Sequence, residues 1–296
     1  MILAIVSTMT GKAQLLYKIS GNGLEKPSYI LGTNHFAPIS FVDSIPGIRQ
    51  AMNETEQTYG EVNDMEKMTS PEMMQKVMQA MMMPEGVTLT SLLTEEEQGR
   101  LNGMLQNLIG VDMTNPMLAA QFDKLLPSAI TTQLTVLFYL KKNPTFDINS
   151  QFDTYFQKTA KEQGKNIGGL ETMDFQLETL LRGSSLERQK QQLMCFVDNI
   201  EYNEMVLEEL VKAYFSQDMD AIEKVTEMKL NDDCDSTPEE EDRLIFNRNA
   251  DWRQKMPEIM KQHPTLFAVG AAHLPGERGV LNLLRQAGYT VDGVKN

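Results

Sequence analysis

The chain has 296 residues, 41% of them apolar and 23% charged, which is enough for one large domain with a core that needs no disulfide or structural metal. Its 27 basic and 41 acidic side chains leave a net charge of −14 with no basic stripe, which argues against nucleic acid as a partner. No stretch approaches the roughly 18 apolar residues a membrane-spanning helix needs, so no transmembrane span is expected.

Met1–Val6 is apolar, and Ala13-Gln14 would suit the end of an export signal whose start lies upstream, so residues 1–13 are read as a signal-peptide remnant and 14–296 as one domain. On that reading the protein is extracytoplasmic (periplasmic or secreted); without it, cytoplasmic. Leu15–Ile19 and Ser28–Leu31 read as two strands of a hairpin around the turn residues Ser20-Gly-Asn-Gly23. A helix follows, with Ser44 as N-cap and Pro46 in its first turn, and then a third strand, 57–62. From about 66 to 230 helical periodicity dominates. That segment holds a methionine-rich core stretch (65–83), a capped helix at Thr94 with Glu97 three residues on, a helix from Phe152 ended by Gly164, and a short strand at 166–171. Helices are expected at 173–182, 186–200, 203–215 and 218–230, and residues 239–242 should be a solvated helix start. The chain then returns to α/β character with a helical region over 238–261, a buried-type strand at 265–269, a helix from 277 to 287 stopped by Gly288, and a last strand at 289–294. The expected fold is α/β (α+β): strands from the N- and C-terminal thirds form a central sheet, with a large helical insertion between them.

Two of the three histidines share one local pattern. Ile30-Leu-Gly-Thr-Asn-His35 and Ala268-Val-Gly-Ala-Ala-His273 each run from an apolar strand through Gly and two small or polar residues to His, with an apolar residue and a Pro soon after. With 19 glycines in 296 residues, chance places Gly three residues before two of three histidines only about 1% of the time. In α/β sheets, sites form beyond the carboxyl ends of strands, so two such turns on neighbouring strands would aim both imidazoles into one crevice. Glu61, at the end of the third strand, supplies a carboxylate to complete a ligand set for a divalent ion such as Mn, Co or Zn. His263 lacks the pattern and reads as structural. Phe36 and Leu274 are expected to pack beneath the site. Cys195 and Cys234 are either two free thiols or one disulfide.

These residues, in this order, resemble the TraB/GumN family, which includes the Tiki metalloproteases. The likeness runs through Leu16-Tyr-Lys-Ile-Ser-Gly-Asn-Gly, Tyr29-Ile-Leu-Gly-Thr-Asn-His, Asp43-Ser-Ile-Pro, Gly60-Glu-Val, Phe152-Asp-Thr-Tyr-Phe, Gly169-Leu-Glu-Thr, Arg248-Asn249 and Val269-Gly-Ala-Ala-His-Leu-Pro-Gly-Glu-Arg-Gly. Asn34 departs from the apolar residue usual at its place. The resemblance implies metal-dependent hydrolysis of a peptide or protein substrate, with His35, Glu61 and His273 holding the ion. Glu171 is then a second carboxylate for proton transfer, and Arg248 a stabiliser of developing negative charge. A non-catalytic ligand- or metal-binding module, and a metal-independent esterase-like hydrolase, are the alternatives.

Overall fold

The computed structural model describes residues 14–63, 67, 70–147 and 152–295, so the export-signal reading of residues 1–13 lies outside the described part. Six strands form one mixed sheet: β1 (Leu16–Ser20), β2 (Ser28–Thr33), β3 (Gln57–Val62), β4 (Asn166–Glu171), β5 (Thr265–Gly270) and β6 (Thr290–Gly293), in spatial order β4-β3-β5-β2-β1-β6. The hairpin between β1 and β2 turns through Gly21, Asn22 and Gly23, all at positive φ. Four neighbours, β4, β3, β5 and β2, run parallel, while β1 is antiparallel to β2 and β6. Every residue of β2 and the first five of β5 are buried, as expected of central strands covered on both faces.

Helices follow in chain order. α1 (Ile48–Glu54) starts after Gly47, whose positive φ (71°) makes the entry turn. Ser44 is therefore not the N-cap expected of it; it closes a 3-10 turn, Ile39–Ser44. The reason is local: Ile45 precedes Pro46, and the proline ring keeps it extended rather than helical. Next come α2 (Pro71–Met81), α3 (Leu89–Leu92), α4 (Glu95–Ile109), α5 (Pro116–Phe122) and α6 (Pro127–Lys142). Thr94 and Glu97 form the expected reciprocal cap of α4. After α7 (Phe152–Glu162) and β4 stand α8 (Met173–Leu177), which runs on as a π-helical turn Glu178–Arg182, α9 (Leu186–Asp198), α10 (Ile200–Phe215) and α11 (Met219–Thr226). α12 (Pro238–Glu241), a second π-helical turn (Asp242–Phe246) and α13 (Asn247–Gln262) form one continuous stretch before β5. α14 (Val280–Gln286) starts three residues later than expected because Gly279, extended at φ −74° and ψ 153°, is its N-cap.

The described residues of the helical insertion divide between two cores. Leu101, Leu105, Ile130, Leu134 and Leu193, from α4, α6 and α9, form a separate helical core. Phe152, Phe156, Leu170, Tyr214 and Ile222, from the same stretch of chain, instead join the core around the sheet, and β4 extends the sheet itself. Truncating Phe156 to alanine there would cost about 3–5 kcal/mol.

Two surface readings change. Met74 and Met78 are 59% and 56% exposed, so the methionine stretch contributes little to the core on that face of α2. Glu240 is buried rather than solvated, because Arg188 holds it with two hydrogen bonds and Thr237 N–H donates a third. The two cysteines form a disulfide that ties α9 to the segment before α12. No helix among the described residues is long and apolar enough to cross a membrane.

Candidate active site

The parallel register brings four strand ends to one edge. Thr33 of β2 lies beside Gly270 of β5, Gly60 of β3 beside Ala268, and Val62 beside Glu171, the last residue of β4. His35 and His273 follow β2 and β5, and Glu61 lies on β3, so the two histidine turns stand on neighbouring strands. Their glycines have a visible purpose. A Cβ on Gly32 would come within 3.0 Å of the Ala271 and Leu274 side chains, so the first turn packs directly on the second. A Cβ on Gly270 would crowd Glu61 Oε1 at 3.1 Å, the atom that accepts the Gly270 N–H at 2.9 Å.

His273 is fixed from behind. Asn249 Nδ2 donates to the backbone carbonyls of His273 and Arg278, which leaves its Oδ1 to accept the His273 Nδ1–H at 2.7 Å. Nε2 is then the bare nitrogen, and Arg248 Nη1 donates to it at 3.1 Å. Burial pushes the imidazole down to about 4; Glu61 pulls the other way and Arg248 adds to the depression, so His273 is neutral near pH 7. Its ring packs 4.4 Å from that of Trp252.

Arg248 is the hub. It donates twice to Glu171, at 3.0 and 2.7 Å, once to Glu61 Oε2 at 2.6 Å, and once to the Leu244 carbonyl. Trp252 lies under the guanidinium, whose centre is 5.1 Å from the ring. Burial opposes its charge, but Glu171 and Glu61 outweigh that and raise its pKa. Glu171 accepts four hydrogen bonds, two from Arg248 and one each from Gln176 and Trp252 Nε1, which fills a carboxylate. Burial raises the Glu61 carboxyl, and the positive field of His273 and Arg248 with the Gly270 N–H outweighs it, so its pKa lies below the ordinary value. With His273 neutral, Arg248 and the Gly270 N–H are what hold Glu61 ionised.

His35 stands apart from that cluster. Its side chain is 83% exposed, and its Nδ1 is 2.6 Å from Asp153 Oδ2. The Asp153 carboxylate pushes its pKa up to about 9, and the Glu61 charge adds to the same field.

The model of the TraB/PrgY/gumN family matches residues 15–293, nearly the whole chain. The chain belongs to the TraB/PrgY/gumN family. Curated relatives include the Metalloprotease TIKI homolog of Nematostella vectensis, 23% identical over 91% of this chain and 65% of its own length. Metalloprotease TIKI1 and Metalloprotease TIKI2 of Danio rerio are each 23% identical over 90% of this chain, covering 61% and 58% of their own lengths. The chain thus spans about three fifths of these relatives. No solved structure matches it.

Within this TraB/PrgY/gumN chain, Arg248 contacts Glu61, Glu171 and His273, while His35, which feels the Glu61 charge, is held by its own partner, Asp153. Among the described residues no three His, Cys, Asp or Glu side chains converge into a metal cluster; Glu61 Oε1 and His273 Nε2 are 3.9 Å apart, with Arg248 bonded to both residues. The donor set nevertheless fits a divalent ion. Each imidazole is held through Nδ1 by a fixed oxygen, Asp153 or Asn249, the outer support that histidine ligands use. Each would offer Nε2 to an ion once Arg248 leaves His273 and a proton leaves His35, with Glu61 supplying an ionised oxygen.

Four residues received no role from sequence reasoning: Asp153, Gln176, Asn249 and Trp252. Asn249 and Trp252 lie one and four residues after Arg248, a helical spacing that turns all three to one side of α13. Asp153 lies in the Phe152-Asp-Thr-Tyr-Phe stretch, where the aromatic pattern draws attention to packing instead. Leu274 is buried as expected, while Phe36 stacks on Tyr139 at 4.1 Å.

Proposed function

We propose that this crevice is a metal-dependent hydrolytic site acting on peptide bonds, with His35, Glu61 and His273 as the residues that hold a divalent ion. The observation that carries the reading is the anchoring of both imidazoles through Nδ1, by Asp153 at 2.6 Å and Asn249 at 2.7 Å, beside an ionised Glu61. When bound there, Mn, Co or Zn supplies Lewis-acid polarisation of a carbonyl and activation of water. The names of the relatives support a protein or peptide as substrate.

The chain's own residues divide the remaining work. Arg248, fixed by two bonds to Glu171, presents its positive charge beside Glu61 and serves to stabilise negative charge developing on a substrate carbonyl. Glu171, saturated by four donors, serves first to position Arg248; a part in proton transfer requires it to give up one of them. To serve an ion, His273 Nε2 would have to be freed from Arg248 and His35 from the proton that Asp153 stabilises, while the two-point hold by Glu171 would keep the guanidinium in the site.

A metal-independent hydrolase is the second reading, favoured by the His35–Asp153 pair, whose exposed imidazole could exchange protons without an ion. Elemental analysis of protein incubated with Mn, Co and Zn and then desalted separates the two. The metal reading expects one ion per chain, lost in His35→Ala plus His273→Ala. Equal, negligible metal in both proteins contradicts it. The Cys195–Cys234 bridge supports an oxidising, extracytoplasmic location, and sequencing the mature N-terminus tests that.

A further inference from the structure

A recess of about 450 Å³ lies between α6 and α10, with Phe138, Tyr139, Leu207 and Val211 as its apolar walls. Its rim is charged: Lys142 bonds both Glu204 and Glu208, and Lys212 pairs with Glu209. Both of its helices lead to the first histidine turn. Tyr139, a wall of the recess, donates its hydroxyl to the Phe36 carbonyl at 3.2 Å and stacks on the Phe36 ring, directly after His35. On α10, less than a turn beyond Val211, Tyr214 donates to the Gly32 carbonyl at 3.1 Å. The backbone of Gly32–Phe36 is therefore bonded to both helices that form the recess.

We infer that this recess is a specificity subsite, taking one large apolar side chain (Phe, Leu or Met) of a peptide bound at the His35 turn. This rests on the peptide reading of the site above. The volume falls in the range of small-ligand pockets, and with Lys142 and Lys212 each paired to glutamates, the apolar walls select the occupant. Burying such a side chain is worth about tenfold to a hundredfold in affinity over a small or acidic one.

The test uses fluorescein-labelled octapeptides of Gly, Ala and Ser carrying one central Phe, Leu, Gly or Asp. Binding to the full chain is followed by anisotropy in chelator, with peptide integrity checked by mass spectrometry. The expected result is at least about tenfold tighter binding of the Phe and Leu peptides. Val211→Trp and Leu207→Trp, both at partly exposed positions, should each reduce that preference to within about twofold, while Met117→Ala, on exposed α5, leaves it intact. Absence of a preference in the native protein overturns the inference. So does a preference that survives in both tryptophan variants when their near-ultraviolet dichroism is native. Failure of the hydrolytic reading looks different: apolar peptides bind selectively yet remain uncut with Mn, Co or Zn supplied.

Discussion

Replacing Arg248 with methionine keeps an unbranched apolar stem and removes the cation that two carboxylates share. In the native protein the guanidinium supplies two hydrogen bonds to Glu171, whose side chain is 2% exposed, and one to Glu61. Arg248→Met leaves both acids in place, and stripping one partner from a buried ion pair costs about 3–5 kcal/mol. Glu171→Gln leaves Arg248 with Glu61 and loses only the charge-assisted part of the bidentate pair, about 1.5–3 kcal/mol. In the double variant the buried charge at position 171 is gone along with its counter-ion, so the losses should fall short of additivity by about 1–3 kcal/mol. Urea unfolding of the four proteins at pH 7, oxidised and chelator-treated, gives the cycle. An Arg248→Met loss under about 1 kcal/mol, or strict additivity, would refute the view of Arg248 as the charge on which this cluster depends.

Other outcomes follow from the same geometry. His273 is neutral in both folded and unfolded chelated protein above pH 6.5; below that, the unfolded chain takes a proton that the folded one refuses until about pH 4. Stability should therefore fall by about 3 kcal/mol between pH 6.5 and 4, and a His273→Gln variant measured in parallel should lack that component. Reducing Cys195–Cys234, which closes a separation of 39 residues, should cost about 4 kcal/mol, read as a fall in melting temperature with dithiothreitol. A Cys195→Ser plus Cys234→Ser protein as stable as the oxidised native chain would contradict this. Asp153→Asn should weaken Mn or Zn binding about 10–100-fold in calorimetric titration, because the outer partner of His35 loses its charge. Unchanged affinity would remove His35–Asp153 from the ion's support.

Much of the fold could be read from local pattern. β3 and β4 match their expected bounds residue for residue, because each is a short run closed by turn chemistry, and the Thr94–Glu97 cap of α4 is a signal contained in four residues. Ser44 failed as a cap because the proline two residues on controls the backbone more strongly than the serine side chain can. The burial of Glu240 is not legible locally, because its partner, Arg188, lies 52 residues away in sequence. The site divides along the same line. The paired Gly-x-x-His turns are visible because each is local, and the close packing of Gly32 on Ala271 gives the glycine a physical reason. Asp153, Gln176 and the four-fold saturation of Glu171 are products of tertiary contact. They turn an expected ligand set into a charged network with Arg248 at its centre.

The central claim is that His35, Glu61 and His273 hold an ion needed for peptide hydrolysis. Its most direct test is mass-spectrometric cleavage profiling of a mixed peptide library with the full chain, first with chelator and then with Mn, Co or Zn restored. The account predicts defined cuts that vanish in chelator, return with one of these ions, and are absent from His35→Ala plus His273→Ala. Cuts that persist in chelator, or a library left intact under every ion, would contradict it.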